Sequence, residues 1–220
     1  KGCYFEAIFK LDDSDAYSVD PLACEGCAAC TYRCPVGAIE MTEPVVGQWF
    51  RSETPYGTLY HAHLFAGAEN SGRLVTLVKQ QARLHALDES CPLVLVDGPP
   101  GIGCPVISAS AGAHLALLVV EPTPAGLHDL DRILQTTQHF GIPAMVVVNK
   151  SDLNATRVQE IKSYCQTQDI SLAACLPYDT DVTAAMVQGL PITAYTTDSA
   201  ISCAIHRVWE KIKQQLEIGP

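Results

Sequence analysis

With 220 residues and 48% hydrophobic content, the chain can bury a sizeable core and hold one medium domain beside a small one. Its net charge of −10, with no basic cluster, excludes a surface built to grip nucleic acid or an anionic membrane. No run approaches the ~20 apolar residues of a membrane span and no signal peptide is visible, so the ten cysteines are expected in a reducing cytoplasm rather than in a secreted disulfide scaffold.

Residues 1–42 are cysteine-rich and turn-rich and read as a small lobe ahead of a larger domain, 43–220. Within the lobe, Cys24, Cys27, Cys30 and Cys34, with Pro35 directly after, spell C-x2-C-x2-C-x3-C-P. Three thiolates at that spacing can wrap one corner of an iron–sulfur cube, and in two-cluster ferredoxins the fourth turns away to the other cluster. Zinc usually needs two separated ligand pairs, and no second C-x2-C or H-x3-5-H pair exists here. The run therefore predicts a 4Fe–4S cluster. The stretch from Cys3 to Ile8 echoes the one from Cys34 to Ile39, both reading C-x-x-x-A-I. Such a repeat makes Cys3 the last cysteine of an earlier matching run. With crossed ligands, Cys3 completes the cube on Cys24, Cys27 and Cys30, while Cys34 reaches a second cluster whose other ligands lie upstream of Lys1. The chain starts without Met and its first residues read as the middle of a domain, so a longer parent is expected.

Beyond residue 44 the texture changes to apolar runs and amphipathic helices. Strands are expected over 45–51 and 59–65, and a helix over 74–87. His61 and His63 share one face of the second strand and read as packing or partly solvated residues. Between strand and helix, Gly67 to Leu74 fits G-x4-G, yet Arg73 stands where a phosphate loop needs Lys and Leu74 where it needs Ser or Thr. It reads as a helix-initiating loop capped by Asn70 or Ser71. The run 93–97 predicts a buried strand ending in Asp97, followed by the stiff loop D-G-P-P-G-I-G. A carboxylate at such a place holds Mg2+ in nucleotide hydrolases, while the loop senses the γ-phosphate. Further strands are expected over 115–120 and 144–149, and further helices over 127–139, 155–167 and 200–216. Continuous apolar strands separated by helices mean a doubly wound, mostly parallel α/β sheet, with ligands outside the carboxyl ends of the strands.

The strand over 144–149 runs into Asn149-Lys150-Ser151-Asp152, the pattern N-K-x-D. Asn can hydrogen-bond a purine edge, and the Lys stem can lie along the ring. Asp152 could accept from guanine N1 and N2, which alone suggests GTP, or it could cap the helix that follows. Pro177 and Tyr178, in Leu176-Pro177-Tyr178-Asp179, stand where a loop would close over the base.

Together, C-E-G-C-A-A-C-T-Y-R-C-P, E-N-S-G-R-L-V-T-L-V, D-G-P-P-G-I-G-C-P-V, V-V-V-N-K-S-D-L-N and L-P-Y-D resemble MinD-type P-loop ATPases that carry an inserted ferredoxin domain. These lie within the SIMIBI class, which also holds nitrogenase iron protein and Mrp-type cluster carriers. The resemblance implies that Asp97 and Gly101 take the metal and γ-phosphate-sensing roles, that Asn149 reads adenine, and that ATP with Mg2+ is preferred to GTP. It implies a phosphate loop upstream of residue 1, without which this polypeptide should bind ATP poorly and not hydrolyse it. A homodimer in the nucleotide-bound state and a redox partner or Fe–S client protein follow as expectations. The function implied is an ATPase whose cycle gates electron transfer or docking by a ferredoxin lobe. The alternatives are a cluster carrier or assembly factor, and an electron carrier that no longer hydrolyses nucleotide. Cys104 lies just after the sensor loop, its role open.

Overall fold

Two short strands lead into the cysteine run. β1 (Ile8–Lys10) and β2 (Tyr17–Val19) pair antiparallel, with Ile8 opposite Val19 and Lys10 opposite Tyr17. The computed structural model describes residues 3, 5–12, 14–21, 23–24, 26–42, 45, 47–66, 68 and 72–218. The chain divides into two units, 1–69 and 70–220. In the first unit the hairpin is followed by a one-turn helix, α1 (Ala29–Arg33), and by a second antiparallel hairpin, β3 (Gly47–Thr54) with β4 (Gly57–Leu64). The runs read as strands over 45–51 and 59–65 are thus strands, but they pair with each other and not with the parallel sheet. Gly57, at φ 128°, turns a corner that side chains resist, and Trp49 stacks on Tyr60 across the ladder.

The second unit opens with α2 (Arg73–Asp88) and α3 (Cys104–Ser110). Asn70 and Ser71, the expected caps of α2, lie outside the described residues; its N-cap is Gly72, at φ 78°. A Cβ there would come within 2.6 Å of Ser108 Oγ, so glycine is what lets α2 start against α3. Lys79 of α2 fastens the other end of α3, its ammonium donating to the carbonyls of Ser108, Ala109 and Ala111. Burial and the nearby Arg83 push the Lys79 pKa down.

A parallel sheet follows, in the order β5 (Ala116–Val120), β6 (Ala144–Val148), β7 (Ser171–Cys175). Its helices are α4 (Pro124–His139), α5 (Ala155–Thr167) and α8 (Ala200–Leu216), with the short α6 (Thr180–Val187) and α7 (Ile192–Tyr195) before the last. β6 explains the layout. Val146 and Val148 pack with Leu130 and Leu134 of α4 and with Val158, Ile161 and Cys165 of α5. Met145 and Val147 point the other way, into a cluster with Ala173 of β7 and Val208 of α8. A central strand covered on both faces has no polar side to show, which is why its sequence is an unbroken apolar run. Lys211 of α8 donates to the carbonyls of Leu172 and Ala173, fixing that helix over β7.

One expected strand is corrected. Residues 93–97 lie outside every ladder of the described residues, and Leu95 is 88% exposed. An apolar run signals that a segment can be buried, but pairing supplies the strand. Among the described residues, β5 pairs on one side only and Val119 is exposed. Asp97 therefore stands on an exposed segment and not at the end of a buried strand.

Candidate functional site

The cysteine loop is built from turns. Gly26 and Ala28 take left-handed φ values of 64° and 59°, reversing the chain between successive cysteines before α1 carries Cys30. Thr31 Oγ1 donates to the Ala28 carbonyl at 2.8 Å, tying the helix start down. Antiparallel pairing of β1 and β2 is prolonged by Asp20 N donating to Ala7 O at 2.8 Å, and Cys24 N then donates to Asp20 O at 3.1 Å. Cys3 precedes β1 and Cys24 follows β2, so both lie off the same end of this hairpin. At the end of α1, Cys34 Sγ accepts from Ala38 N at 3.3 Å. Backbone N–H groups, those of Ala38 and Val36 foremost, hold the Cys34 thiol below its ordinary pKa. Cys24 and Cys27 are exposed, whereas Cys3, Cys30 and Cys34 are half-buried. Among the described residues, no three His, Cys, Asp or Glu side chains are gathered so as to hold a metal ion. The fit to an iron–sulfur cluster rests instead on the all-thiol donor set, the left-handed turns and the amides directed at sulfur.

At the carboxyl end of the parallel sheet the three strand ends are laced together. Asn149 N donates to Val120 O at 2.8 Å, Leu176 N to Val148 O at 2.7 Å and Ser151 N to Leu176 O at 2.8 Å. On this frame Asn149 Oδ1 accepts from Lys150 N at 3.0 Å, and Lys150 Nζ pairs with Glu121 at 2.6 Å. Asp152 Oδ1 accepts from Tyr178 N at 2.6 Å. The expected capping role of Asp152 is corrected: Asn154 is the N-cap of α5, its Oδ1 accepting from Arg157 N. Asp152 lies too early in the chain for that and clamps the loop after β7 to the loop after β6. Pro177 is half-buried and Tyr178 exposed.

The structure thus brings together Asn149, Lys150, Asp152 and Tyr178. Asp97 and Gly101 belong to the segment leading into α3, and among the described residues no hydrogen bond joins either to the strand-end group. Gly101 has φ 86°, a conformation that glycine alone takes freely. Cys104 is the exposed first residue of α3. His61 stacks on Phe50 and lies 3.0 Å from Ser52 Oγ through Nε2, and His63 is exposed opposite Gln48 on the same hairpin. Glu121 went unnoticed in the sequence, although a polar residue directly after an apolar strand is the same signal that picks out Asn149.

A family model described as a 4Fe–4S binding domain matches residues 17–40. Uncharacterized protein MJ0578 of Methanocaldococcus jannaschii is 28% identical over 212 residues, covering 96% of this chain and 68% of that protein. From the same organism, the uncharacterized ATP-binding protein MJ0547 is 24% identical over 135 residues, 61% of this chain and 51% of that protein. Among solved structures, the septum site-determining protein MinD of Pyrococcus horikoshii, complexed with Mg-ADP, superposes with a TM-score of 0.55 at 20% identity. That match covers 67% of this chain and 58% of the MinD chain. No helix among the described residues is long and apolar enough to cross a membrane. This chain therefore combines a segment, residues 17–40, that matches the 4Fe–4S binding domain model with a fold like that of MinD.

Proposed function

We propose that this chain belongs to an ATPase of the MinD type in which nucleotide binding and hydrolysis are coupled to a ferredoxin lobe. The observation that carries the reading is the joining, in one polypeptide, of a cluster-binding run to a MinD-like fold whose strand ends converge on Asn149, Lys150, Asp152 and Tyr178. ATP would sit outside those strand ends, with Asn149 against the purine edge and Pro177 and Tyr178 closing beside it. Asp97 would anchor Mg2+ and Gly101 would let the loop respond to the γ-phosphate. Asp152 already accepts a backbone N–H, so it has a role without guanine, and this supports ATP over GTP. In the lobe, Cys3, Cys24, Cys27 and Cys30 would hold one 4Fe–4S cluster and Cys34 would serve a second; the shared hairpin end of Cys3 and Cys24 supports that division. The cluster would supply one-electron chemistry to a redox partner. No disulfide joins any of the ten cysteines, and a reducing cytoplasm would keep the thiols available for cluster ligation. A homodimer would form in the nucleotide-bound state.

The exposure of Cys24 and Cys27 favours a second reading, a carrier that hands a cluster to a client protein. Anaerobic purification of the full-length protein separates the two. A coupled ATPase keeps its iron and sulfide when mixed with an apo-ferredoxin and hydrolyses Mg-ATP; a carrier loses iron to that acceptor. Retention with no hydrolysis would leave the non-hydrolysing electron carrier as the reading.

A further inference from the structure

Lys150 has φ 49°, a left-handed conformation that a residue with a Cβ avoids. Such backbone persists where its surroundings over-determine it, and it gathers at ligand sites. Here the surroundings are explicit. Asn149 Oδ1 holds the Lys150 amide at 3.0 Å, Ser151 N is anchored on Leu176 O at 2.8 Å, and Glu121 holds the ammonium at 2.6 Å. The backbone of Glu121 is itself fixed. Thr123 N donates to its carbonyl at 2.8 Å, and a Cβ on Gly126 would lie 2.2 Å from that oxygen, so the first turn of α4 closes directly on it. Thr123 caps this turn, accepting from Gly126 N at 3.0 Å. The hydrogen bond to Glu121 and its charge raise the Lys150 pKa, and the Tyr178 hydroxyl is close enough to add to the effect.

We propose that Glu121 is a positioning residue for the base of the bound nucleotide. It pins the Lys150 ammonium so that the methylene stem forms a shelf for the purine ring beside Tyr178. It also cancels the lysine charge, so this part of the site accepts an uncharged ring and not a phosphate. The inference rests on the nucleotide reading above and names the residue that shapes its base half. Exposed ion pairs add little to folding. The pair's effect therefore falls on ligand orientation, where a fixed stem spares the ligand the entropy of ordering it.

The test uses the full-length protein with Mg2+ and two probes, ADP and tripolyphosphate, on the parent, Glu121→Gln, Lys150→Met and the double variant. Each single change should weaken ADP binding by about fivefold, a size typical of losing one ordered charge pair. The double variant should be no weaker than Lys150→Met alone, because Glu121 acts through Lys150. Tripolyphosphate, which lacks a base, should bind all four proteins equally, and this also shows that the variants are folded. An unchanged ADP affinity in Glu121→Gln, additive losses in the double variant, or equal losses for tripolyphosphate would each overturn the proposal. A parent protein that binds neither probe would bring down the nucleotide reading as well, whereas normal ADP binding by every variant would bring down only this inference.

Discussion

Asp152 and Asn154 show how two short polar residues divide the work at the end of β6. Asn154 caps α5 through Arg157 N, and Asp152 instead receives Tyr178 N from across the β7 loop. Asn154→Ala should therefore cost about 1 kcal/mol, read as a fall of roughly 2–4 °C in the thermal midpoint. Asp152→Ala should loosen the Tyr178 loop while leaving ADP preferred over GDP; a parent protein preferring GDP by orders of magnitude would make Asp152 a base ligand instead. The cysteines separate in the same residue-by-residue way. Cys27→Ala should abolish the broad charge-transfer absorption of the anaerobically reconstituted protein, and Cys34→Ala should reduce it far less. Loss of the cluster in Cys34→Ala with retention in Cys3→Ala would reverse the crossed assignment.

Among the elements, β6 carries the second unit, since both its faces are buried and α4, α5 and α8 close on it. Leu134 of α4 is 1% exposed in that core, and Leu134→Ala should destabilise the fold by about 2–5 kcal/mol in denaturant titration. Between α4 and α5, Tyr164 donates its hydroxyl to Asp131 at 2.5 Å. Desolvation first, then the hydrogen bond and charge of Asp131, push its pKa up from 10.0 to about 12. The unfolded chain releases this proton at lower pH than the folded one. Its contribution is thus fully present below about pH 10 and is lost as pH rises towards about 12. Tyr164→Phe should flatten the stability profile across that window; an unchanged profile would show that the pair does not couple to folding. The helices over 155–167 and 200–216 were legible in the sequence from their apolar periodicity, whereas their caps, Asn154 and Ser199, emerged only from the structure. The strand expected over 93–97 was not, because apolarity carries no information on a ladder partner. The Glu121–Lys150 and Asp131–Tyr164 pairs were equally hidden: each joins residues 29 or 33 positions apart through the tertiary fold, beyond the reach of any local pattern.

For the whole molecule, two chemistries are joined in one chain, a thiol-rich lobe and a sheet whose strand ends form a polar cluster. The proposed nucleotide site depends on Asp97 as the anchor of its metal. Asp97→Asn in the full-length protein should lower Mg-ATP turnover about tenfold or more, since it keeps size but removes the balancing charge. Hydrolysis at the parental rate would make that carboxylate structural. Coupling between the halves is the central claim, and the most direct test is the reduction potential of the cluster in the full-length protein with and without Mg-ATP. The account predicts a shift of about 60 mV or more, a tenfold change in a one-electron equilibrium, that disappears in Asp97→Asn. An identical potential in both conditions, in a protein that binds ATP and holds its cluster, would contradict it.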